Sequence, residues 1–242
     1  MLLKKLIEHE HGGSSVIRKI LLFIKPLLRT IGKIHLPGTH KKVTGVDYVR
    51  GRPLWRNGTI FASRYDWEPS NILISGYWKH IAMFNINPYA EPGSKEYVIE
   101  AVDPVVRKNN MIDYLRKDGL IAIEPILKKN GIEVCEEIKN LVMERAAGYA
   151  REEIGLAYDY NLDWQGNSRS ELDIQNWRVQ REFYCSELGF WSYKRACADY
   201  EVEWDFHLKE RLGLLTLTPQ DWVNDALAGR SNRVIWKDMA HS

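Results

Sequence analysis

The chain has 242 residues, 45% of them hydrophobic and 27% charged, a balance that supports a packed core and argues against a disordered polymer. Its net charge of +2 is too small for nucleic acid to be a principal partner. Three widely spaced cysteines, Cys135, Cys185 and Cys197, form no C-x-x-C pair and no zinc-spaced cluster, so neither a disulfide framework nor a metal site is expected.

Residues 14–34 read as an amphipathic helix. Ile17, Ile20, Leu21, Ile24, Leu27, Leu28 and Ile31 share one face, and Arg18, Lys25, Arg29 and Lys33 form the opposite stripe. Peripheral contact with an anionic membrane is one reading of this segment; packing on the domain with a solvated basic face is the other. Its longest apolar run, Ile20 to Ile24, is far short of the roughly 20 residues that span a bilayer. Lys25 and Pro26 interrupt any secretory leader, so the cytoplasm is the default compartment, with envelope or virion association left open. His9 and His11 read as a solvated end. Residues from His35 to Gly58 read as a connector. Together these give an N-terminal helical extension over residues 1–50 and a domain over residues 51–242.

The domain begins with strands. Thr59–Ser63, Trp78–Phe84, Tyr97–Val102 and Leu120–Ile123 are short β-rich runs separated by turns. In the second, His80, Ala82 and Phe84 face one way and Ile81 and Met83 the other. A helix is expected from about Glu133 to Ile154, capped by Gly155. Residues 161–181 are polar and loop-like. Cys185 then opens a helix running to about Asp199, and Thr218-Pro219 starts a short terminal helix. The order predicts an α+β domain, a small antiparallel sheet or barrel packed against helices.

Cys185 and His80 carry the chemistry the pattern suggests. Free amides and the dipole at a helix N-terminus favour a thiolate, and a strand histidine can exchange a proton with it. By spacing alone the plainer reading stands beside this one: a small buried hydrophobe and a core histidine.

The ordered motifs change the balance. His80 lies in Trp78-Lys79-His80-Ile81-Ala82-Met83, and Glu100 follows in Val98-Ile99-Glu100-Ala101. Then come Gly155-Leu156-Ala157-Tyr158-Asp159, Tyr184-Cys185-Ser186-Glu187-Leu188 and Leu217-Thr218-Pro219-Gln220-Asp221. This series resembles the circularly permuted branch of the NlpC-type papain-like cysteine hydrolases, the YiiX/YebB-like group related to lecithin:retinol acyltransferase, over roughly residues 55–237. Two departures are visible. The first strand is preceded by Asn57-Gly58 where the family usually has Gly-Asp, and the stretch from His80 to Glu100 is long.

The resemblance implies a permuted papain-like fold without a cofactor. It implies a Cys185 nucleophile, a His80 proton carrier and a Glu100 that orients the imidazole, with an amide, peptide or ester bond cleaved through a thioester. Tyr184 is expected to line the cleft or simply to pack, Glu187 to stabilise the positive helix end, and Asp159 to be structural. A peptide, amide or lipid is the expected substrate. A lipid acyltransferase of the same fold, and a silent papain-like binding module, are the alternatives. Nothing in the sequence sets the oligomeric state.

Overall fold

A computed structural model describes residues 42–64, 76–91, 95–102, 104–158, 182–211 and 214–238. The segment 14–34, the loop 161–181, His9, His11 and Asp159 lie outside these residues.

The first described helix, α1 (Gly45–Gly51), lies within the stretch read as a connector. Its start is fixed by Thr44 and Asp47: the Thr44 N–H and hydroxyl both donate to the Asp47 carboxylate, at 2.8 and 2.7 Å. Strands β1 (Ile60–Arg64), β2 (His80–Ile86), β3 (Glu96–Val102) and β4 (Val105–Asn110) follow. The one-turn helix α2 (Met111–Tyr114) leads to β5 (Gly119–Pro125), and a small hairpin pairs β6 (Lys128–Lys129) with β7 (Ile132–Glu133). Helix α3 (Glu136–Glu152) and strand β8 (Ala157–Tyr158) come next. Strand β9 (Glu182–Phe183) precedes α4 (Cys185–Asp199). The chain ends with hairpin strands β10 (Lys209–Arg211) and β11 (Leu214–Thr216), α5 (Pro219–Leu227) and β12 (Asn232–Lys237).

Eight strands form one sheet in the order β12-β5-β1-β2-β3-β4-β8-β9, antiparallel except for β8 against β9. The sheet stays open among the described residues, so the barrel alternative does not hold. Closure would need the edges β12 and β9 to pair; each is instead the last strand of the sheet.

The central strands are apolar on both faces because both faces are covered. Ile60, Ile81, Met83, Ile99, Ile121 and Ile123 pack with α3 and α4 through Val142, Met143, Ala146, Leu188 and Tyr193. On the reverse face Phe61, Ala82, Phe84, Val98, Leu120 and Ala122 pack with Val43, Trp55, Met111 and Tyr114. Trp55 meets Phe61 and Trp236 edge-on, at centroid distances of 4.9 and 5.4 Å.

Two glycines fix how closely the layers approach. Gly58 has φ +89, and a Cβ there would fall 2.5 Å from the Met143 carbonyl oxygen. Its own carbonyl accepts from the Tyr193 hydroxyl at 2.6 Å, so the start of β1 is held by both long helices. Gly189, one turn into α4, lies over Ile60, Ile81 and Trp222, and brings the cysteine-bearing helix down onto β1 and β2.

Candidate active site

The site lies where two strands part. The β2–β3 ladder runs from Ile86 opposite Glu96 to Met83 opposite Ile99 and stops there among the described residues. Strand β2 stays paired to β1 as far as His80 opposite Ser63, and β3 stays paired to β4 as far as Val102 opposite Val105. The result is a fork between β2 and β3. Cys185, the first residue of α4, packs with the core on the helix side of the sheet. His80 has the parity of Ala82 and Phe84, and Glu100 that of Val98, which face the other core. The fork lets the thiol meet the imidazole through the sheet. The Ile81 N–H, which a continued ladder would have used, donates to the Cys185 sulfur instead.

A chain of hydrogen bonds runs from the sulfur to the far face. The imidazole bonds the Cys185 side chain. Its Nε2 lies 2.9 Å from Oε2 of Glu100, which leaves Nδ1 for the sulfur. The other carboxylate oxygen, Oε1, accepts from Arg107 Nε at 3.1 Å, Arg107 Nη2 at 3.0 Å and Asn109 Nδ2 at 3.0 Å. Arg107 stands directly across the β3–β4 ladder from Glu100, and Asn109 is two residues along on the same face. Glu100 is thus 2% exposed with both oxygens engaged, while the His80 side chain keeps 16% of its surface open.

These contacts set the charges. Burial pushes the Cys185 thiol up, and this is outweighed by its hydrogen bond to His80, the imidazolium charge, the Ile81 N–H and the nearby Ser186 hydroxyl, so the thiol is lowered. Burial works against protonating His80, but the bonds to Cys185 and Glu100 and their negative charges prevail and raise it to about 9. Burial also opposes ionisation of Glu100; the bond to His80 and the charges of His80, Lys117 and Arg107 overcome it and hold the carboxyl at about 2. The arrangement can therefore hold a thiolate–imidazolium pair near neutral pH, a state able to attack a carbonyl carbon.

The surrounding segments are anchored. Tyr184 is buried, and its hydroxyl donates to the Leu217 carbonyl at 3.0 Å, a packing contact. The Glu187 carboxylate accepts the Tyr184 N–H at 3.3 Å and so closes the start of α4. The lead into β2 is pinned by Gln220 of α5, whose Oε1 accepts from the Tyr77 and Trp78 amides at 2.6 and 3.2 Å. Gly76, at φ +98, makes room for that side chain. Among the described residues no group of three or more His, Cys, Asp and Glu is arranged to hold a metal ion.

The structure brings Cys185, His80 and Glu100 together. Sequence reasoning missed Arg107, Asn109 and the Ile81 amide, because each depends on the pairing of β3 with β4 or on the fork, and Lys117, which comes from the link between α2 and β5. Ser186 stood inside a motif already singled out.

A comparison with protein families gives a match. The model of the permuted papain-like amidase enzymes, the YaeF/YiiX or C92 family, matches residues 55–212, more than half of the chain. The chain belongs to the permuted papain-like amidases. The matched span contains His80, Glu100 and Cys185 and ends before α5 and β12. No curated protein matches the chain. Family membership makes the protein a cysteine hydrolase of the amidase type.

Proposed function

We propose that this amidase-family protein cleaves an amide or peptide bond through a thioester on Cys185, with His80 as proton carrier and Glu100 as the residue that orients it. The observation that carries the reading is the continuous chain Cys185–His80–Glu100, with the sulfur at the first residue of a 15-residue helix.

The thiolate attacks the carbonyl carbon, and the C=O electron pair moves to oxygen. The amides of Cys185 and Ser186 have no i−4 carbonyl within the helix, and the Cys185 N–H is one donor for that oxyanion. Collapse breaks the C–N bond, and the His80 imidazolium gives its proton to the leaving amine. His80, now neutral, takes a proton from water as the water oxygen attacks the thioester. C–S cleavage then releases a carboxylic acid and restores the thiolate–imidazolium pair. Glu100 takes no proton; bound to Nε2, it fixes the ring so that Nδ1 addresses the sulfur.

Family membership supports an amide as the substrate bond. The test is acyl-enzyme trapping. The protein is incubated with a panel of peptide anilides and activated esters, quenched in acid, digested and weighed. Acyl mass on the Cys185 peptide, absent when the acyl group is withheld, supports the reading. Product released equally fast by Cys185→Ala sinks it.

A further inference from the structure

Strand β4 does little for the core. Of its six residues only Val106 is buried, and it packs on the helix side of the sheet. Alternation turns Arg107 and Asn109 to the other face, the one that Glu100 shares. There the two side chains bring three N–H groups to a single oxygen, Glu100 Oε1, at 3.1, 3.0 and 3.0 Å. A two-pronged arginine–carboxylate pair ordinarily uses both oxygens. Arg56 grips Glu124 in that way in the same sheet, Nε on Oε1 and Nη2 on Oε2. On Glu100 both prongs end on Oε1, and Oε2 is left to His80 Nε2 at 2.9 Å.

We propose that Arg107 and Asn109 are positioning residues of this hydrolase: together they fix the plane of the Glu100 carboxylate so that Oε2 faces His80. The inference rests on the reading of Cys185, His80 and Glu100 as the working chain. The last torsion of a glutamate is broad and close to two-fold, so a carboxylate held by one bond turns with little resistance. Arg107 stands directly across from Glu100, and Asn109 stands across from Val98, two residues along. Donors arriving from two points on β4 fix a plane that one point would leave free to turn.

The number of donors supports the same division of labour. An ionised carboxylate oxygen offers about two lone-pair sites, so three N–H groups fill Oε1 and keep it from His80. The imidazole then has one oxygen to lean on, and its Nδ1 keeps its line to the sulfur. A cross-strand ion pair that merely joined β3 to β4 would need Arg107 alone. Asn109 carries no charge, and its bond adds direction to an ion pair already made.

The test is nuclear magnetic resonance of the ¹⁵N-labelled protein at pH 6, following the His80 Nε2–H proton, which is assigned by its loss in His80→Gln. Wild type, Asn109→Ala, Arg107→Ala and, as a control, Glu124→Gln are compared, with iodoacetamide alkylation of Cys185 and melting temperatures alongside. In wild type the proton is expected to exchange slowly with water. In Asn109→Ala and in Arg107→Ala it should exchange about tenfold faster, as for a weakened charge-assisted hydrogen bond. Alkylation of Cys185 should slow about threefold in both, because the thiolate loses part of its imidazolium partner. Glu124→Gln should change the melting temperature and neither of the other readings. Asn109→Ala decides the matter if Arg107→Ala does not fold. Exchange and alkylation unchanged in Asn109→Ala, whatever its melting temperature, would reduce the β4 side chains to a brace between strands and overturn the inference. A wild-type Nε2–H proton that exchanges like a free imidazole, with Cys185 no more reactive than Cys135, contradicts the Cys–His–Glu reading itself.

Discussion

Two buried carboxylates divide the molecule. Glu100 and Glu124 are both 2% exposed, both sit on the central sheet, and both are gripped by an arginine. Glu124, on β5, receives Arg56 through two bonds of 2.6 Å each and Lys139 at 3.2 Å. Arg56 also reaches Glu136 of α3, so this cluster ties the lead into β1, strand β5 and helix α3 together. The bonds to Glu124 and Glu136 raise Arg56 further above its already high value. Glu100 gives one oxygen to Arg107 and the neutral amide of Asn109, and the other to His80, which can exchange its proton with a neighbouring thiol. Burial and a salt bridge alone mark a structural carboxylate; a titratable partner next to a nucleophile marks one that can serve a reaction.

Substitutions should pull the two apart. The largest effect is expected from Cys185→Ala, which should lower turnover by about 10³-fold or more with little change in melting temperature. Initial rates and a thermal melt check both. Glu100→Gln should lower kcat by about 10²-fold, less than the cysteine change because Glu100 orients and does not react. Glu124→Gln should do the reverse. Removing the buried charge shared by Arg56 and Lys139 should cost about 3 kcal/mol of stability by urea unfolding, at the low end for a broken buried pair because both cations keep Glu136. Its kcat per folded molecule should stay near wild type. Equal stability losses in the two glutamine variants, with equal kcat, would erase the distinction.

The smallest expected effect is in the pH dependence of stability. Glu100 falls from 4.5 to about 2 on folding, so its contribution is present above pH 4.5 and lost as pH drops towards 2. His80 rises from 6.5 to about 9, so its contribution is complete below pH 6.5 and lost as pH climbs to 9. Wild type should therefore lose more stability than Glu100→Gln between pH 4.5 and 2, measured by denaturant midpoints. Parallel curves would mean that Glu100 is not held ionised.

Much of this was legible in the sequence, for physical reasons. The helix opened by Cys185 follows a polar stretch, and its span Cys185–Asp199 matches the expected one. The alternation in Trp78–Phe84 assigned Ala82 and Phe84 to one core and Ile81 and Met83 to the other. Strand β4 was not legible. Its sequence Val-Val-Arg-Lys-Asn-Asn lacks an apolar alternation, because much of it is solvent-facing and its polar residues serve Glu100. Strand β12 lies over a hundred residues from its partner β5 and is broken by a bulge between Val234 and Trp236, so no local pattern announces the pairing. The fork is a property of register between strands, which periodicity within a strand does not carry.

The central claim is that Cys185 is held as a thiolate by His80. It is tested most directly by alkylating the native protein with a limiting amount of iodoacetamide at pH 6 and measuring each cysteine by mass spectrometry. Cys135 is exposed, while Cys185 and Cys197 are buried, and burial raises Cys197 to about 12. Cys185 is expected to react first, about tenfold or more ahead of Cys135, because an ordinary thiol is almost wholly protonated at that pH. Modification of exposed Cys135 first, with Cys185 reacting only above the pH at which free thiols ionise, would contradict the account.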